Sequence, residues 1–297
     1  MQQKKKKFKK INPVILILGI ILVLYSLSVL WLLGWGLMSS FKGRYEVIDN
    51  PFSFPEKWLF SNYVTAFNNF YVKIKRSGQY YRNAFIEEML LYSVLYSVGC
   101  AVVKTYVTCI VAYVTAKFYH FTFSKILYST VLIVMMLPVV GSLPSELSFA
   151  HELGLYDHLW GMWIMQFGFL GMYYFVFHAM FSGIPRDFAD AAYIDGASEW
   201  TVMLKIMLPM ARPTTFIVIL LGFIGYWNDY QTPMLFIPDY PTLANGLYQF
   251  SFSTRGELAT VPMKLTGCFI LVVPVLVLFC VFKDKLIGNI SMGGLKE

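Results

Sequence analysis

Residues Val14 to Leu33 read VILILGIILVLYSLSVLWLL, twenty positions without a charge. A bilayer core about 30 Å thick is crossed by roughly 20 apolar residues rising 1.5 Å each, so this stretch is long enough to span. A transmembrane strand would alternate apolar and polar positions over about ten residues. The run is continuous instead, so the spanning elements are helices and the fold class is an all-α integral membrane protein. Five more stretches meet the same criterion, at about 89–116, 126–144, 159–181, 214–236 and 263–282, which with 14–38 makes six transmembrane helices. The composition agrees: 57% of residues are hydrophobic and 14% charged, against about 25% charged in soluble domains.

The first span follows six lysines, Lys4 to Lys7, Lys9 and Lys10, in the basic tail 1–13. Its apolar run exceeds the roughly 7–15 residues of a cleavable signal segment, so it reads as a retained anchor. The lysines place the N-terminus in the cytoplasm, and six spans return the C-terminal tail 283–297, with Lys283, Lys285 and Lys296, to the same side. Segment 39–88 is then extracytoplasmic although Lys42 to Arg82 carries seven basic residues; long loops translocate largely regardless of charge. That segment is too polar to span and too aromatic to be disordered, which predicts packing against outer helix ends. The net charge of +7 follows from this asymmetry and from attraction to anionic membrane lipid. No nucleic-acid-binding motif accompanies it. Cys100, Cys109, Cys268 and Cys280 fall in or beside apolar spans and read as small buried hydrophobes.

Residues 89–282, which hold the last five spans, contain an inner loop at 182–213 and an outer loop at 237–262. No internal repeat of the kind that marks many secondary transporters is present. The inner loop carries Asp190-Ala191-Ala192-Tyr193-Ile194-Asp195-Gly196 and, after nine residues, Ile206-Met207-Leu208-Pro209. Ile184-Pro185 should start a helix, with Asp187 and Asp190 near its positive dipole end. Gly196 can take a positive φ and end it, and a second helix from about Ser198 should run until Pro209 interrupts it. Phe188, Ala191, Ala192 and Asp195 lie within reach of one face, where the alanines let another protein approach closely.

This spacing resembles the cytoplasmic EAA loop of importer permeases of the ABC superfamily. Ala112-Tyr113-Val114-Thr115-Ala116-Lys117, Pro138 with Pro144, Gly154-Leu155, Trp227-Asn228-Asp229, Thr242-Leu243-x-x-Gly246-Leu247 and Gly293-Gly294-Leu295-Lys296 follow in the order of the carbohydrate branch, specifically its maltose-permease-like subunit. The resemblance covers most of 83–297. Asp190 stands where that family usually has glutamate, and 39–88 matches it poorly. It implies one helix added before a five-helix type I core, in a bacterial or archaeal plasma membrane. It also implies a second homologous permease, two ABC ATPase subunits and a solute-binding protein that delivers a saccharide. ATP and magnesium would then sit on the ATPase, and this chain would bind no cofactor and no metal. In keeping, no Gly-x-x-x-x-Gly-Lys-Ser/Thr phosphate loop occurs here. By the same resemblance Asp190, Ala191, Ala192, Asp195, Gly196, Ile206, Leu208 and Pro209 form the ATPase-coupling element. Thr242, Leu243, Asn245, Gly246 and Leu247 would meet the binding protein; the alternative is a tight exposed turn at Asn245-Gly246.

Ionisable groups inside a span face a bundle interior or a wet cavity, which singles out Lys104, His178 and Asp229, whereas Lys264 lies near an interface and snorkels. Lys104 is either pore-facing or a partner for an acid on another subunit, and His178 reads as a structural histidine. Trp227, Asn228 and Asp229 combine an aromatic face with polar groups suited to a sugar, or else brace a break in the fifth helix near Pro233. A membrane-embedded enzyme would draw on His151-Glu152 and Asp157-His158, but position 155 is leucine and no His-Glu-x-x-His zinc pattern forms. A secondary transporter, or an ABC permease for another solute, are the remaining alternatives.

Overall fold

Helix α1 (Pro13–Ser40) has proline in its first turn and no charged residue to pair, and its side chains from Val14 to Leu33 are exposed all round. A helix apolar on every face is stable where lipid replaces water. The computed structural model describes residues 13–76, 79–137, 141–252 and 256–292, so the lysine tail, Pro138 and Gly293 to Lys296 lie outside the described residues. The chain divides into one unit of 1–69 and 253–270 and another of 70–252 and 271–297.

In the first unit the segment after α1 folds back onto it through α2 (Glu46–Asp49) and α3 (Ser61–Asn69). Phe41 packs against Trp58, Phe60 and Tyr63 with ring centroids 5.0–5.3 Å apart. Lys42 is fully buried, and its ammonium donates to the Asn50 carbonyl at 2.7 Å. The Trp35 indole donates to the Pro51 carbonyl at 2.8 Å, and the Asn62 amide donates to the carbonyls of Ser40 and Lys42 at 2.8 and 3.0 Å. Aromatic packing and the bonds of Lys42, Trp35 and Asn62 therefore order this segment.

The second unit opens with a feature that the all-α reading missed. Strands β1 (Tyr71–Arg76) and β2 (Gln79–Phe85) pair antiparallel, Tyr71 opposite Phe85 and Ile74 opposite Arg82, with Val72, Ile74 and Ala84 buried. The central helix α4 (Ile86–Lys117) follows, then α5 (Thr122–Met136), α6 (Leu143–Glu152), α7 (Leu159–Met165) and α8 (Met172–Gly183). Next come α9 (Asp187–Ile194), α10 (Glu199–Val202), a π turn over Met203–Met207, α11 (Leu208–Met210) and α12 (Arg212–Asn228). Helices α13 (Gln231–Phe236), α14 (Leu243–Ser251) and α15 (Val261–Met292) complete the chain. Helix α4 buries a polar row, Ser93, Ser97, Thr105, Thr108 and Thr115, against its neighbours. Tyr174 of α8 donates to Thr115 Oγ1 at 2.8 Å, and the Trp163 indole of α7 donates to the Leu95 carbonyl at 3.1 Å.

Among the described residues three helices are individually long and apolar enough to cross a membrane: α1, α4 and α15 over Val261–Val281. The stretch Glu199–Met210 with α12 passes the test only as a pair, bent by 68°. The third expected span holds the fifteen-residue α5, the fourth is divided into α7 and α8, and the fifth into α12 and α13. Among the described residues six uninterrupted spanning helices are therefore not found. Glycines at 168 and 171 and the polar pair Asn228-Asp229 interrupt the apolar runs.

Candidate functional site

The elbow at 184–211 is built by its end signals. Helix α9 closes in a Schellman arrangement: Ala197 N–H donates to the Ala192 carbonyl at 2.9 Å and Gly196 N–H to the Tyr193 carbonyl at 3.0 Å. This needs a left-handed residue, and Gly196 has φ of 82°. Ser198 then caps the next helix, its hydroxyl accepting from Thr201 N–H at 3.3 Å. Pro209 does not end that helix as expected. The preceding π turn shifts the backbone bonding by one residue, which absorbs the missing N–H and the ring, and the bend falls at Ala211 instead.

Asp190, Ala191, Asp195 and Gly196 are exposed, and so are Phe188 (49%), Ile194 (87%), Trp200 (71%) and Leu204 (56%). Ala192 departs from the predicted face. It points inward, into a cluster with Tyr113, Tyr174, Phe177, Phe181 and Met207, which Ile206 and Leu208 flank. The Lys117 ammonium donates to the Ile184 carbonyl at 2.7 Å, fastening the elbow to the end of α4. Tyr193 donates to Glu199 across the bend, and burial together with that carboxylate raises its phenol above the usual range.

At the break after α12 the three singled-out residues separate. Trp227 is buried, donates its indole N–H to the Leu271 carbonyl at 3.2 Å and stacks on Phe223. Asn228 donates to the Ile224 carbonyl of its own helix at 2.8 Å. Asp229 accepts from Thr232 N–H at 3.1 Å, capping α13, and from the Tyr96 hydroxyl at 3.1 Å. It also lines a cavity of about 450 Å³, together with Lys104, Thr105, Thr108, Tyr173 and Tyr226. Bracing is thus common to all three; Trp227 is buried, Asn228 is exposed, and of the three Asp229 alone lines the cavity. Thr105, Thr108, Tyr173 and Tyr226 were missed by sequence reading; the signal was a polar row along α4 with a period near 3.6.

Thr242 to Leu247 corrects both readings of the outer loop. Thr242 caps α14, accepting from Asn245 N–H at 3.3 Å, and Leu243 N–H donates to Ser93 Oγ at 2.7 Å. Thr242, Leu243, Asn245 and Gly246 are buried, and only Leu247 is partly open. Gly246 is helical rather than a turn: a Cβ there would stand 2.6 Å from Met89 Sδ and 3.1 Å from Phe70, so its role is close approach. The exposed side of α14 is instead Tyr248 and Gln249, continued by Phe252, with Tyr248 stacked on Tyr230 at 4.5 Å.

Of the four residues that invited an enzyme reading, His151, Asp157 and His158 are engaged in stacking or backbone contacts, and Glu152 is exposed. His151 stacks on Tyr156 and His158 on Trp160, while Asp157 accepts from Asp239 N–H at 3.0 Å. His178 packs among Tyr128 and Tyr174.

Broken apolar helices around a mainly apolar cavity that holds Lys104 and Asp229, joined to an exposed helical elbow, suit the membrane subunit of a transporter. Residues 108–290 match the family described as binding-protein-dependent transport system inner membrane component, and the chain belongs to that family. It is a permease subunit and not an enzyme. It is similar to the diacetylchitobiose uptake system permease protein of Streptomyces coelicolor, 29% identical over 92% of this chain and 86% of that one. A probable starch degradation products transport system permease protein of Thermoanaerobacterium thermosulfurigenes is 26% identical, covering 94% and 95% respectively. Among solved structures, a bacterial ABC transporter involved in import of the acidic polysaccharide alginate has a chain of the same fold. Its TM-score is 0.73 at 19% identity, with 94% of this chain and 99% of that one covered.

Proposed function

We propose that this chain is one half of the translocation pathway in an ATP-driven, binding-protein-dependent importer of sugars or oligosaccharides. Its companions are a second homologous permease, two ABC ATPase subunits and a solute-binding protein outside the membrane. The chain crosses six times, its fourth and fifth crossings made by broken helices, with both termini in the cytoplasm. The observation that carries the reading is the elbow, two short helices turned at Gly196 that leave Phe188, Ala191 and Ile194 of α9 and Trp200 of α10 uncovered. Apolar side chains of that size on a surface outside the spans call for a protein partner. The saccharide assignment is supported by relatives named for diacetylchitobiose and starch products. ATP closing the ATPase dimer moves the elbow as a lever and switches the cavity between the two sides.

Reconstitution tests the function. In proteoliposomes holding the whole complex, oligosaccharide uptake should require both ATP and the binding protein, and uptake driven by an ion gradient alone would refute the assignment.

Orientation has its own test, with single cysteines placed after the four native ones are replaced. An impermeant thiol reagent applied to intact cells should label Phe252→Cys, at an exposed site, and spare Ser198→Cys until the cells are lysed. Labelling of Ser198→Cys without lysis would put the elbow on the wrong side for an ATPase. Thr242, 1% exposed, is unsuitable as a reporter from either side.

A further inference from the structure

Lys104 lies inside α4, more than three turns from either end, and lines the 450 Å³ cavity. Its ammonium reaches the break between α7 and α8, 3.5 Å from where a side chain on Gly168 would begin. Among the described residues no carboxylate stands within ion-pair distance of it. The cavity has one acid of its own, Asp229, but both carboxylate oxygens are engaged, one by Tyr96 and the other by Thr232 N–H. The cavity therefore has a cation in need of a counter-charge and an acid already committed to the fold.

A cation at membrane depth is costly unless it is paired or solvated, and such residues mark substrate pathways. The volume suits a sugar unit or two, within the range of small-molecule sites. Tyr173 and Tyr226 supply aromatic walls, and Thr105 and Thr108 lie beside Lys104 on the same lining. We infer that Lys104 recognises an anionic substituent on the transported saccharide, so that the cargo is an acidic rather than a neutral oligosaccharide. This rests on the importer reading above and narrows its substrate class. A charge-assisted hydrogen bond to Lys104 provides the selectivity, and the aromatic walls hold the ring.

The test compares two series of equal length in proteoliposomes with the complete complex and its own binding protein. One series is neutral gluco-oligosaccharides, the other the same molecules with one glucose replaced by glucuronate. The wild type should favour the glucuronate series. Lys104→Met should lower uptake of that series about tenfold to a hundredfold, the scale of one lost charge-assisted hydrogen bond, and lower any neutral uptake far less. Lys104→Arg should restore most of it. Lys104→Gln, run beside the methionine variant, gives the same readout if that variant is lost from the membrane. Uptake of the neutral series alone, or an equal loss for both series, overturns the inference and leaves the importer reading standing. Release of the second permease from the purified Lys104→Met complex, with Lys104→Arg retaining it, would assign the lysine to an acid on that subunit and likewise overturn it. Uptake of neither series would remove the sugar reading and this inference together.

Discussion

Ala191→Trp is expected to reduce ATP-driven uptake by about thirtyfold or more, the scale of a lost interface hot spot, while the subunit reaches the membrane in normal amounts. Ala191 is exposed on α9, between Phe188 and Ile194, so an indole there adds bulk where a partner must approach and disturbs nothing inside the subunit. Its neighbour gives the contrast. Ala192 is 9% exposed and packs among Tyr113, Phe177 and Phe181, so Ala192→Asp buries a carboxylate with no partner. That costs several kcal/mol, and this variant should be lost from the membrane altogether. Quantitative immunoblotting of membranes, co-purification of the ATPase and uptake in proteoliposomes separate the two effects. An Ala191→Trp complex that keeps its ATPase and transports at the wild-type rate would show that this face of α9 is not the docking surface.

The contrast between adjacent alanines marks where the sequence is informative. Backbone devices are local, so Asp195-Gly196 and Ser198 announce a helix end and a helix start whatever surrounds them. Which alanine faces inward is decided by α4 and α8, and no local pattern carries that. The same division holds for the spans. Val14 to Leu33 is apolar on every face and makes one unbroken helix, whereas the apolar run through Phe167-Gly168-Phe169-Leu170-Gly171 is interrupted, because hydropathy does not register backbone freedom. The hairpin was within reach: Val72 and Ile74 alternate with Lys73 and Lys75, the period of a strand with one buried face. Counting that stretch only as basic charge concealed it. Gly246 was ambiguous for a different reason, since glycine serves both turns and close helix contacts, and only the position of Met89 and Phe70 distinguishes them.

Trp227→Ala should remove the subunit from the membrane, whereas Asp229→Asn should leave it in place. Trp227 fills a site 1% exposed, and truncating a buried tryptophan costs about 3–5 kcal/mol. It also removes the indole bond to the Leu271 carbonyl of α15. Asp229→Asn keeps an amide oxygen to accept from Thr232 N–H, and the Tyr96 hydroxyl can turn to accept from the new amide, so the break after α12 stays braced. Asp229→Ala has neither acceptor and leaves two donors unpaired, at about 1–3 kcal/mol each, so its level should fall between the other two. With Asp229→Asn present at normal levels, binding-protein-stimulated ATP hydrolysis and saccharide uptake can be compared directly. A carboxylate that serves the cargo predicts retained hydrolysis, reduced uptake and a changed ranking among saccharides, while one that only braces the helix predicts that all three are unchanged. A Trp227→Ala complex recovered at wild-type levels with an altered ranking would contradict the packing role and return that indole to the sugar path.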